Sequence, residues 1–428
     1  MTSLPASAFG PVRDVDVLVV GAGVIGVCSA WYLQQAGARV VLIDQGQVCS
    51  GASYGNAGLI VPSHSVPLAE PAALAQGLRW LFRPDSPFYI KPRLDADLAR
   101  WLWRFRRAAT PARVAQAIPL LHDLHMASRA LYAGFAAAGL DFGYGECGRL
   151  LVCDTAAGMA AAVAEGHHMR STGLLVDELD ADAVGRALGG LSVACVGGVR
   201  YQQDAHLDPA RFVRHLARRA QEAGVEIIES AEVLHIDSRS RAVTVVDTTR
   251  GAFRPGQLVL AAGSWSSPLA AGLRLDLPIQ PAKGYSIEIE APVDTPAMPF
   301  MLTEAKVAVT PLGQGRLRFA GTLELAGLDL SINRRRVDAI MQAVPRYLPT
   351  WNPAGMQVHE VWRGLRPCTP DGLAILGRPR AWDNVVLAAG HAMIGMSLGP
   401  VTGQLVGQIV EGQAPAFDLR LLDPDRFH

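Results

Sequence analysis

The strongest constraint on the fold is the segment Val17–Asp44, VLVVGAGVIGVCSAWYLQQAGARVVLID, which has the pattern of strand, tight turn, helix and second strand. The apolar run Val15–Val20 is typical of a strand that is buried on both faces. In the turn, Gly21 permits the sharp bend, Gly23 lets a pyrophosphate approach the backbone, and Gly26 lets the helix pack closely on the strand. The segment therefore predicts a phosphate-binding turn at the helix N-terminus.

Asp44 ends the second predicted strand and further restricts the kind of nucleotide that can bind. A carboxylate at this position accepts hydrogen bonds from a ribose diol and disfavours a nucleotide with a 2′-phosphate. GxGxxG also occurs in turns with a purely structural role. Because the flanking strand, the helix pattern and the terminal acid all agree here, we predict that an adenine dinucleotide binds near the N-terminus.

Composition excludes several classes of protein. The 428 residues suffice for two packed domains, and 50% hydrophobic with 18% charged residues is typical of a globular enzyme. Lys and Arg number 39, as do Asp and Glu, so no net charge attracts nucleic acid. The six cysteines form no CxxC pair and no metal-ligand cluster, which predicts reduced thiols in a cytoplasmic protein without a bound metal.

The N-terminal residues lack the features of a signal peptide, and we predict a flexible lead-in over residues 1–14. No apolar run is long enough to span a membrane. Leu98–Ala108, LARWLWRFRRA, interleaves aromatic residues with arginines. We favour a helix that packs its aromatic side on the core and leaves its arginines solvated. The alternative is an interfacial helix in peripheral contact with the inner face of the membrane.

The remaining pattern predicts an α/β fold: a doubly wound, Rossmann-like dinucleotide-binding domain and a second α+β substrate domain built on an antiparallel sheet. Asp208 and Pro209 begin a helix that ends at Gly224. Residues 362–377 predict a loop that ends in a strand, followed by a buried strand and a glycine-interrupted helix. We predict discontinuous domains, with residues 15–90, 205–276 and 362–428 binding the cofactor and residues 91–204 and 277–361 forming the substrate or cap domain.

Six motifs in series carry a family resemblance: GAGVIGVCSAWYLQQAGARVVLID, ASYGNAGLI, LVLAAGSWS, KGYS, GLRPCTPDG and GHAMIGMSLGPVTG. In this order and spacing they resemble the FAD-dependent D-amino-acid dehydrogenases of the glycine oxidase and sarcosine oxidase-like group. The resemblance spans nearly the whole chain and implies that the dinucleotide is FAD. A narrower interpretation is the branch that oxidises cyclic D-imino acids such as D-hydroxyproline.

The resemblance implies a set of FAD-binding positions along the pyrophosphate, ribose, adenine and flavin. These are Gly21, Gly23, Val24, Ile25, Gly26, Asp44, Gln45, Ser53, Asn56, Ala57, Gly58, Val233, Gly263, Gly395, Met396 and Ser397. The last three begin the C-terminal helix, whose N-terminus would stabilise negative charge on the reduced flavin. Tight helix packing is the alternative explanation for the glycines of this helix.

Arg366 is the best candidate for binding a substrate carboxylate, because guanidinium offers a planar, bidentate and permanently charged partner. The alternative is an arginine that braces the proline-rich loop. Tyr285 is a second candidate, with an ordinary strand aromatic as its alternative. His64 and His391 lie in motif loops and are expected to shape the pocket, although a loop histidine is more often a satisfied polar residue.

The resemblance implies transfer of the Cα hydrogen as hydride to flavin N5, with no essential general base and with electrons passed to a quinone or another electron-transfer component. Lys283 is a candidate neighbour of N5, since a lysine in that area assists oxygen in oxidase relatives; a surface lysine is the alternative. Gly364 stands where covalently flavinylated relatives have cysteine, and Cys368 is displaced from that place, which implies non-covalent FAD. An oxygen-using amino-acid oxidase, a flavin subunit of a larger complex and a non-catalytic nucleotide-binding module remain alternatives.

Overall fold

The computed structural model describes residues 11–71, 87–91 and 93–427, whose strands form two large sheets and one two-stranded sheet. The first sheet has eight strands: β1 (Arg13–Val20), β2 (Val40–Ile43), β9 (Glu226–Ile228), β10 (Val233–Arg239), β11 (Ala242–Thr248), β12 (Gly251–Leu260), β18 (Ile375–Gly377) and β19 (Val385–Ala389). The small sheet pairs β3 (Leu59–Ile60) with β8 (Ala205–His206).

Five strands of the first sheet, β9, β2, β1, β12 and β19, are parallel neighbours in that order. β10 and β11 form an antiparallel hairpin beside β12, and β18 pairs antiparallel with β19. Alternate residues of β1 point to opposite faces of the sheet. Val17 and Val19 pack into one hydrophobic core, and Leu18 and Val20 pack into another. The prediction of a Rossmann-like sheet buried on both faces is confirmed.

The helices of the described ranges flank both large sheets. They are α1 (Val24–Gln35), α2 (Ala96–Ala108), α3 (Pro111–Ala137), α4 (Ala156–Arg170), α5 (Ala181–Ala187), α6 (Pro209–Glu222), α7 (Ser266–Gly272), α8 (Arg334–Tyr347) and α9 (Gly395–Val410). Short 3-10 turns cover Gly263–Trp265, Pro353–Gly355 and Arg420–Leu422. As predicted, Asp208 caps α6, since its Oδ1 accepts the N–H groups of Ala210 and Arg211 at 3.0 and 3.2 Å.

The second large sheet is mostly antiparallel, which confirms the predicted α+β part. Its strands are β4 (Phe88–Ile90), β5 (Arg149–Cys153), β6 (Val176–Asp180), β7 (Gly197–Tyr201), β13 (Gln280–Glu290), β14 (Phe300–Leu302), β15 (Val307–Gly313), β16 (Arg316–Leu325) and β17 (Val358–Cys368). The strand order is β17-β13-β16-β15-β14-β5-β7-β6, with β4 beside β16. α8 packs against β13 and β16 from one side.

Two predictions about chain segments are wrong in detail. The predicted lead-in over residues 1–14 overlaps β1, which begins at Arg13 because Arg13 pairs with Phe253 of β12; residues 1–10 lie outside the described ranges. The segment up to Cys368, expected to be a loop, is the end of β17 and pairs along β13. The predicted domain boundaries stay a prediction, but β4 and β17 both hydrogen bond within the second sheet, and β17 continues across the boundary expected at 361/362.

α2 has one buried and one exposed tryptophan. Trp101 is 4% exposed and donates its indole N–H to the carbonyl oxygen of Cys368 at 3.0 Å, whereas Trp103 is 56% exposed beneath the guanidinium of Arg107. The helix thus packs on the core as expected and still presents an aromatic residue among arginines. Within the described ranges, no helix combines the length and the apolar character needed to cross a bilayer. The pattern of the sequence also predicts a helical region from about Pro71 to Ala138 with a proline-rich interruption around Arg83 to Pro92, and residues 72–86 and 92 of it lie outside those ranges.

Candidate active site

A cavity of about 650 Å³ lies at the carboxyl ends of the parallel strands in the first sheet. Residues that follow β1, β2, β12 and β19 line it, and residues 363–367 of β17 close it from the second sheet. Parallel α/β sheets bind their ligands at this edge because the strand-to-helix turns meet there. The two sheets therefore share one cavity, with the nucleotide-type turn on one wall and β17 on the other.

The structure brings most of the predicted residues to this cavity. Those in its lining are Gly21, Gly23, Val24, Ile25, Asp44, Gln45, Ser53, Asn56, Val233, Gly263, Arg366, His391, Gly395 and Met396. The predicted residues outside the lining are Gly26, Ala57, Gly58, Ser397, His64 and Tyr285. Sites predicted near the N-terminus, the middle and the C-terminus of the chain thus converge on one place.

The turn between β1 and α1 has the geometry expected of a pyrophosphate cradle. Gly21 has φ +108°, and a Cβ there would stand 2.6 Å from the carbonyl oxygen of Ala261; a Cβ on Gly26 would overlap the carbonyl of Gly21. Neither position accepts a side chain. No side chain caps α1 at Gly23, while the N–H of Val24 donates to Ser53 Oγ at 3.0 Å. The uncapped helix start faces the cavity with its N–H groups.

Asp44 stands at the end of β2, and both carboxylate oxygens are held by backbone. Oδ2 accepts the N–H of Ala22 and Oδ1 accepts the N–H of Gly46, each at 2.7 Å. Burial raises the pKa of the Asp44 carboxyl above its ordinary value, and these two hydrogen bonds oppose that rise. The fixed carboxylate retains lone pairs for hydroxyl donors such as those of a ribose.

The N-terminus of α9 forms a second uncapped helix start at the cavity. No side chain caps it, and Gly395 and Met396 are part of the lining. Ser397 turns away, because its Oγ accepts the N–H of Val61 at 2.9 Å and lies 2.7 Å from Nδ1 of His125 on α3. Ser397 therefore ties the start of α9 to its neighbours. His125 lies in none of the six motifs, so only its contacts in the folded chain identify it as a neighbour of the site.

Arg366 reaches the cavity from β17 as a partly buried cation. Its Nη1 donates to the carbonyl oxygen of Thr322 at 2.8 Å, and the guanidinium occupies the place where a Cβ on Gly284 would lie. Within the described ranges no carboxylate forms an ion pair with it. Burial lowers the pKa of Arg366 from its ordinary value. A partly desolvated guanidinium without an ion-pair partner is unfavourable, so an anionic ligand in the cavity would relieve part of that penalty.

The two predicted histidines have low proton affinity. Burial lowers the pKa of His391 to about 4, and its Nε2 lies 3.1 Å from Oγ1 of Thr402. Burial also lowers the pKa of His64 to about 4, with the charges of Arg149 and Lys306 adding to the effect. Both imidazoles are therefore neutral at pH 7. His391 lines the cavity and shapes it, whereas His64 does not reach it.

Tyr285 and Lys283 of β13 are committed to a polar cluster away from the cavity. The hydroxyl of Tyr285 donates to Glu324 Oε2 at 2.9 Å and accepts the N–H of Asn333. The ammonium of Lys283 donates to the carbonyl oxygen of Ser331 at 2.9 Å and pairs with Asp329 at 3.3 Å. Both side chains are thus engaged by protein groups, and the contacts predicted for Tyr285 with a carboxylate and for Lys283 with the flavin stay predictions.

Several lining residues were not singled out from the sequence, among them Trp265, Arg363 and Leu330. Trp265 follows the glycine of the LAAGSWS turn, Arg363 precedes the GLRP motif, and Leu330 lies on the loop after β16. Arg363 donates its Nε to the carbonyl oxygen of Leu330 at 2.9 Å, which joins β17 to that loop. Trp265 lies inside a motif and Arg363 directly before one, and this position is the sequence signal that could have identified them. Leu330 has no such signal, because the loop reaches the cavity only through tertiary packing.

The residues present fit an adenine dinucleotide that carries a flavin. Two uncapped helix starts face one elongated cavity, the turn at Gly21 leaves no room for side chains, and Asp44 stands at the end of β2. The helix starts supply N–H donors for the pyrophosphate and for an electron-rich ring edge. The described residues contain no group of three His, Cys, Asp or Glu arranged to hold a metal ion.

Comparison with known proteins agrees with this geometry. The model of the FAD dependent oxidoreductase family matches residues 16–409. A D-amino acid dehydrogenase of Cereibacter sphaeroides is 34% identical over 423 residues, covering 96% of this chain and 95% of that protein. One of Agrobacterium fabrum is 32% identical over 425 residues, covering 96% of this chain and 100% of that protein.

A crystal structure of glycine oxidase from Geobacillus kaustophilus superposes with a TM-score of 0.79 at 26% identity, covering 97% of this chain and 99% of that chain. Sequence and fold comparisons thus select the same group, and the resemblance of the six motifs is confirmed. The chain belongs to the FAD dependent oxidoreductase family, and its cofactor is FAD.

Proposed function

We propose that the chain oxidises a D-amino acid or a cyclic D-imino acid, with D-hydroxyproline or D-proline as the narrower candidates. The observation that carries the proposal is Arg366, a partly buried guanidinium that lines the FAD cavity with no carboxylate partner among the described residues. An amino-acid carboxylate offers the bidentate anion that such a group binds. The names of the two D-amino acid dehydrogenase relatives support the same substrate class.

In this proposal the residues of the chain act by binding and orientation. Arg366 holds the carboxylate, and the wall around His391 and Trp265 excludes water from the reacting face. FAD, when bound, accepts a hydride from the substrate Cα. Among the described lining residues, His391 is a weak general base, because burial lowers its pKa to about 4 and its Nε2 lies near Oγ1 of Thr402. An amine that binds unprotonated requires no general base.

We assign FAD binding to the predicted positions that line the cavity. The uncapped start of α1 holds the pyrophosphate, Asp44 and Gln45 the ribose, and Val233 the adenine edge. Ser53, Asn56 and Gly263 contact the middle of the cofactor, and Gly395 and Met396 the flavin end. Gly26, Ala57, Gly58 and Ser397 support these segments from behind. Loss of FAD on mutation of the lining positions would test the assignment.

Substrate and stereochemistry are tested together by anaerobic reduction of the purified flavoprotein. A panel of D- and L-amino acids, glycine, sarcosine, D-proline and D-hydroxyproline is mixed with the oxidised protein, and loss of the flavin absorbance is followed. We expect reduction by D-enantiomers and fastest reduction by a cyclic D-imino acid. Reduction by glycine or sarcosine alone would favour the oxidase-like alternative. A flavin that no amino acid reduces would overturn the proposal unless an added partner subunit restores reduction.

For the electron acceptor we propose a quinone or another electron-transfer component rather than oxygen. The ammonium of Lys283 is engaged by Asp329 and Ser331, so it is not available to assist oxygen at the flavin. After reduction by substrate, reoxidation by a soluble quinone should greatly outpace reoxidation by air-saturated buffer. Rapid turnover with oxygen alone would instead support an oxidase.

We also propose that α2 makes peripheral contact with the inner face of a membrane. Trp103 is exposed beside Arg107, and the exposed Leu94 precedes the helix. An aromatic residue among arginines suits the interface of an anionic bilayer. Co-sedimentation with anionic vesicles should fall for Trp103→Ser and persist for Trp31→Phe, a conservative change of an aromatic residue packed elsewhere. Equal sedimentation of both variants would contradict this contact.

A further inference from the structure

A second cleft, of about 450 Å³, lies outside the FAD cavity and is rich in arginine. We call it the arginine cleft and define it by Arg211, Arg214 and Arg218 of α6 and Arg316 and Arg318 of β16. Its lining shares no residue with the FAD cavity. Neither the proposed oxidation nor the cofactor uses these side chains, so their convergence requires its own explanation.

The spacing of the arginines concentrates positive charge on one surface. Arg214 and Arg218 are four residues apart on α6, and Arg211 lies three residues before Arg214, so all three project from the same side of the helix. Like charges at this spacing destabilise a helix. Arg316 and Arg318 alternate on β16 and therefore share one face of the strand. A helix and a strand thus bring five guanidinium groups to one cleft.

Acidic neighbours neutralise only part of this charge. Arg211 pairs with Asp141, and Arg316 pairs with Asp208 at 2.6 Å and with Glu288 at 3.0 Å. Arg318 pairs with the second oxygen of Glu288 at 2.8 Å. Glu360, which hydrogen bonds the lining residue Tyr54, is a fourth carboxylate at the cleft, so five guanidinium groups still exceed the acidic groups around them. Arg211, Arg316 and Arg318 are held in place by their carboxylates, so the cleft is partly preorganised.

Arg214 and Arg218 carry the uncompensated charge. Neither forms an ion pair within the described ranges, and both are exposed at the edge of the cleft. The guanidinium of Arg214 lies over the ring of Tyr54, 5.2 Å from its centroid. This contact orients Arg214 without neutralising it. Two guanidinium groups with free donors therefore stand beside three that are held in place.

The cleft lies behind the loop that carries Ser53 and Asn56 to the FAD cavity. Nη1 of Arg318 donates to the carbonyl oxygens of Tyr54 and Asn56, at 3.2 and 2.8 Å. The loop therefore separates the two sites, with the FAD cavity on one side and the arginine cleft on the other. A ligand in the cleft would lie close to the cofactor without touching it.

We propose that the arginine cleft binds the phosphoryl group of a small metabolite. A phosphate monoester carries a charge close to −2 at pH 7, which suits a cleft where two exposed guanidinium groups, those of Arg214 and Arg218, form no ion pair within the described ranges. Its oxygens point in tetrahedral directions and accept donors that converge from a helix and a strand, whereas a carboxylate accepts donors mainly in one plane. The size of the cleft admits a phosphate with a small organic group.

The test is titration calorimetry on the FAD-loaded protein at constant ionic strength, with inorganic phosphate and glycerol 2-phosphate as probes. These two distinguish the free ion from an ester, and succinate represents a planar dianion. We expect saturable binding of a phosphate probe and much weaker binding of succinate. The Arg214→Ala/Arg218→Ala variant should raise the dissociation constant for phosphate at least about ten-fold, because it removes two charge-assisted donors.

Arg113→Ala is the matched control, since it removes an exposed arginine near the start of α3. α3 ends at Ala137, so about 36 Å separates that arginine from the end of the helix near Asp141. Its affinity for phosphate should equal that of the unmodified protein. The Arg214→Lys/Arg218→Lys variant keeps the charge and should weaken binding less than the alanine pair. Unchanged binding in the alanine pair, equal binding of succinate, or no saturable binding of phosphate would overturn the proposal.

Discussion

At the scale of single residues, Arg366 is partly buried, lines the cavity wall and has no acidic partner among the described residues. We expect Arg366→Ala to lower the rate constant of flavin reduction at low substrate by about two orders of magnitude or more, because truncating one partner of a buried charge pair costs roughly 2–5 kcal/mol. Arg366→Lys should also bind substrate weakly, since it keeps the charge and loses the bidentate fork. Stopped-flow absorbance under anaerobic conditions measures both rates.

FAD content is the control for this prediction and should be normal in both variants. The methyl ester of the substrate provides a second control, because it lacks the carboxylate and should respond little to either substitution. If the alanine variant is reduced as fast as the unmodified protein, Arg366 only braces β17 and the carboxylate binds elsewhere.

Asp44 gives a prediction about the cofactor alone. Both carboxylate oxygens accept backbone N–H groups, so Asp44→Asn would turn its NH2 group toward one of these donors. It also removes a charged acceptor for the ribose. Hydrogen bonds to charged groups contribute about 1.5–3 kcal/mol, which predicts FAD binding weaker by roughly ten- to hundred-fold in a chain that still folds. Flavin fluorescence released on dilution reports the loss, and full retention of FAD would count against the assignment.

Gly364 leads to a prediction about how FAD is attached. A Cβ at this position would overlap the indole ring of Trp362, so the structure has no space for a cysteine there. Cys368 ends β17 as a fully buried residue. We expect acid or heat denaturation to release all of the FAD into the supernatant. Fluorescence that stays with the denatured chain on a gel would show a covalent bond and contradict this expectation.

The limits of sequence reasoning at this scale are clearest on β13. Lys283 and Tyr285 are two apart and lie in one motif, but an irregularity in the pairing with β16 falls between them. Both side chains then contact Glu324, at 3.9 Å for Lys283 and 2.9 Å for Tyr285. A motif predicts which residue types gather near a site. Which way each side chain points depends on strand pairing that the local sequence does not encode.

At the scale of elements, the contact of α1 with α9 sets the position of both helix starts at the cavity. A Cβ on Gly403 of α9 would stand 2.5 Å from the carbonyl carbon of Cys28 on α1. Gly403→Ala should therefore force the two helices apart, lower the free energy of unfolding by about 1–3 kcal/mol and weaken FAD binding. Thermal unfolding and FAD titration measure the two effects.

Gly407→Ala is the control on the same helix. A Cβ there would meet Tyr32 at 3.7 Å, an ordinary van der Waals distance, and alanine favours a helix over glycine by up to about 1 kcal/mol. This variant should be as stable as the unmodified protein or slightly more stable, with unchanged FAD affinity. Equal effects of the two substitutions would show that close packing at Gly403 does not position α9.

Elements with strong local signals were predictable, and β17 shows where such signals end. The apolar run of β1, the Asp-Pro start of α6 and the glycine turns all act through local backbone preference. β17 contains Gly364 and Pro367, which locally favour a loop, yet it pairs with β13 along its length. Tertiary pairing overrides local preference here. The same pairing delivers Arg366 to the cavity, so the place of the residue could be predicted but not the element that carries it.

At the scale of the whole molecule, burial of histidines links the fold to pH. Burial is the largest cause of a lowered pKa at four histidines. It lowers the pKa to about 4 at His64, His206 and His391, and to about 3 at His125. In the unfolded chain the same groups have a pKa near 6.5. Asp44 and Asp204 act in the opposite direction, because burial raises their pKa above the ordinary value. We therefore expect these two carboxyls to affect the free energy of unfolding mainly near pH 4, at the lower end of the range in which the histidines act.

We therefore expect the free energy of unfolding to fall as the pH is lowered from 6.5 toward 4. Over this range the unfolded chain binds protons that the folded chain excludes, and each histidine contributes at most about 1.4 kcal/mol per pH unit. Urea unfolding at pH 7 and pH 5.5 with saturating FAD measures the change. His206→Gln is the informative variant, since His206 lies outside the FAD cavity and near Cys147. Its loss of stability between the two pH values should be smaller than that of the unmodified protein. An equal loss in both proteins, or stability that does not fall with pH, would contradict the assignment of acid sensitivity to buried neutral histidines.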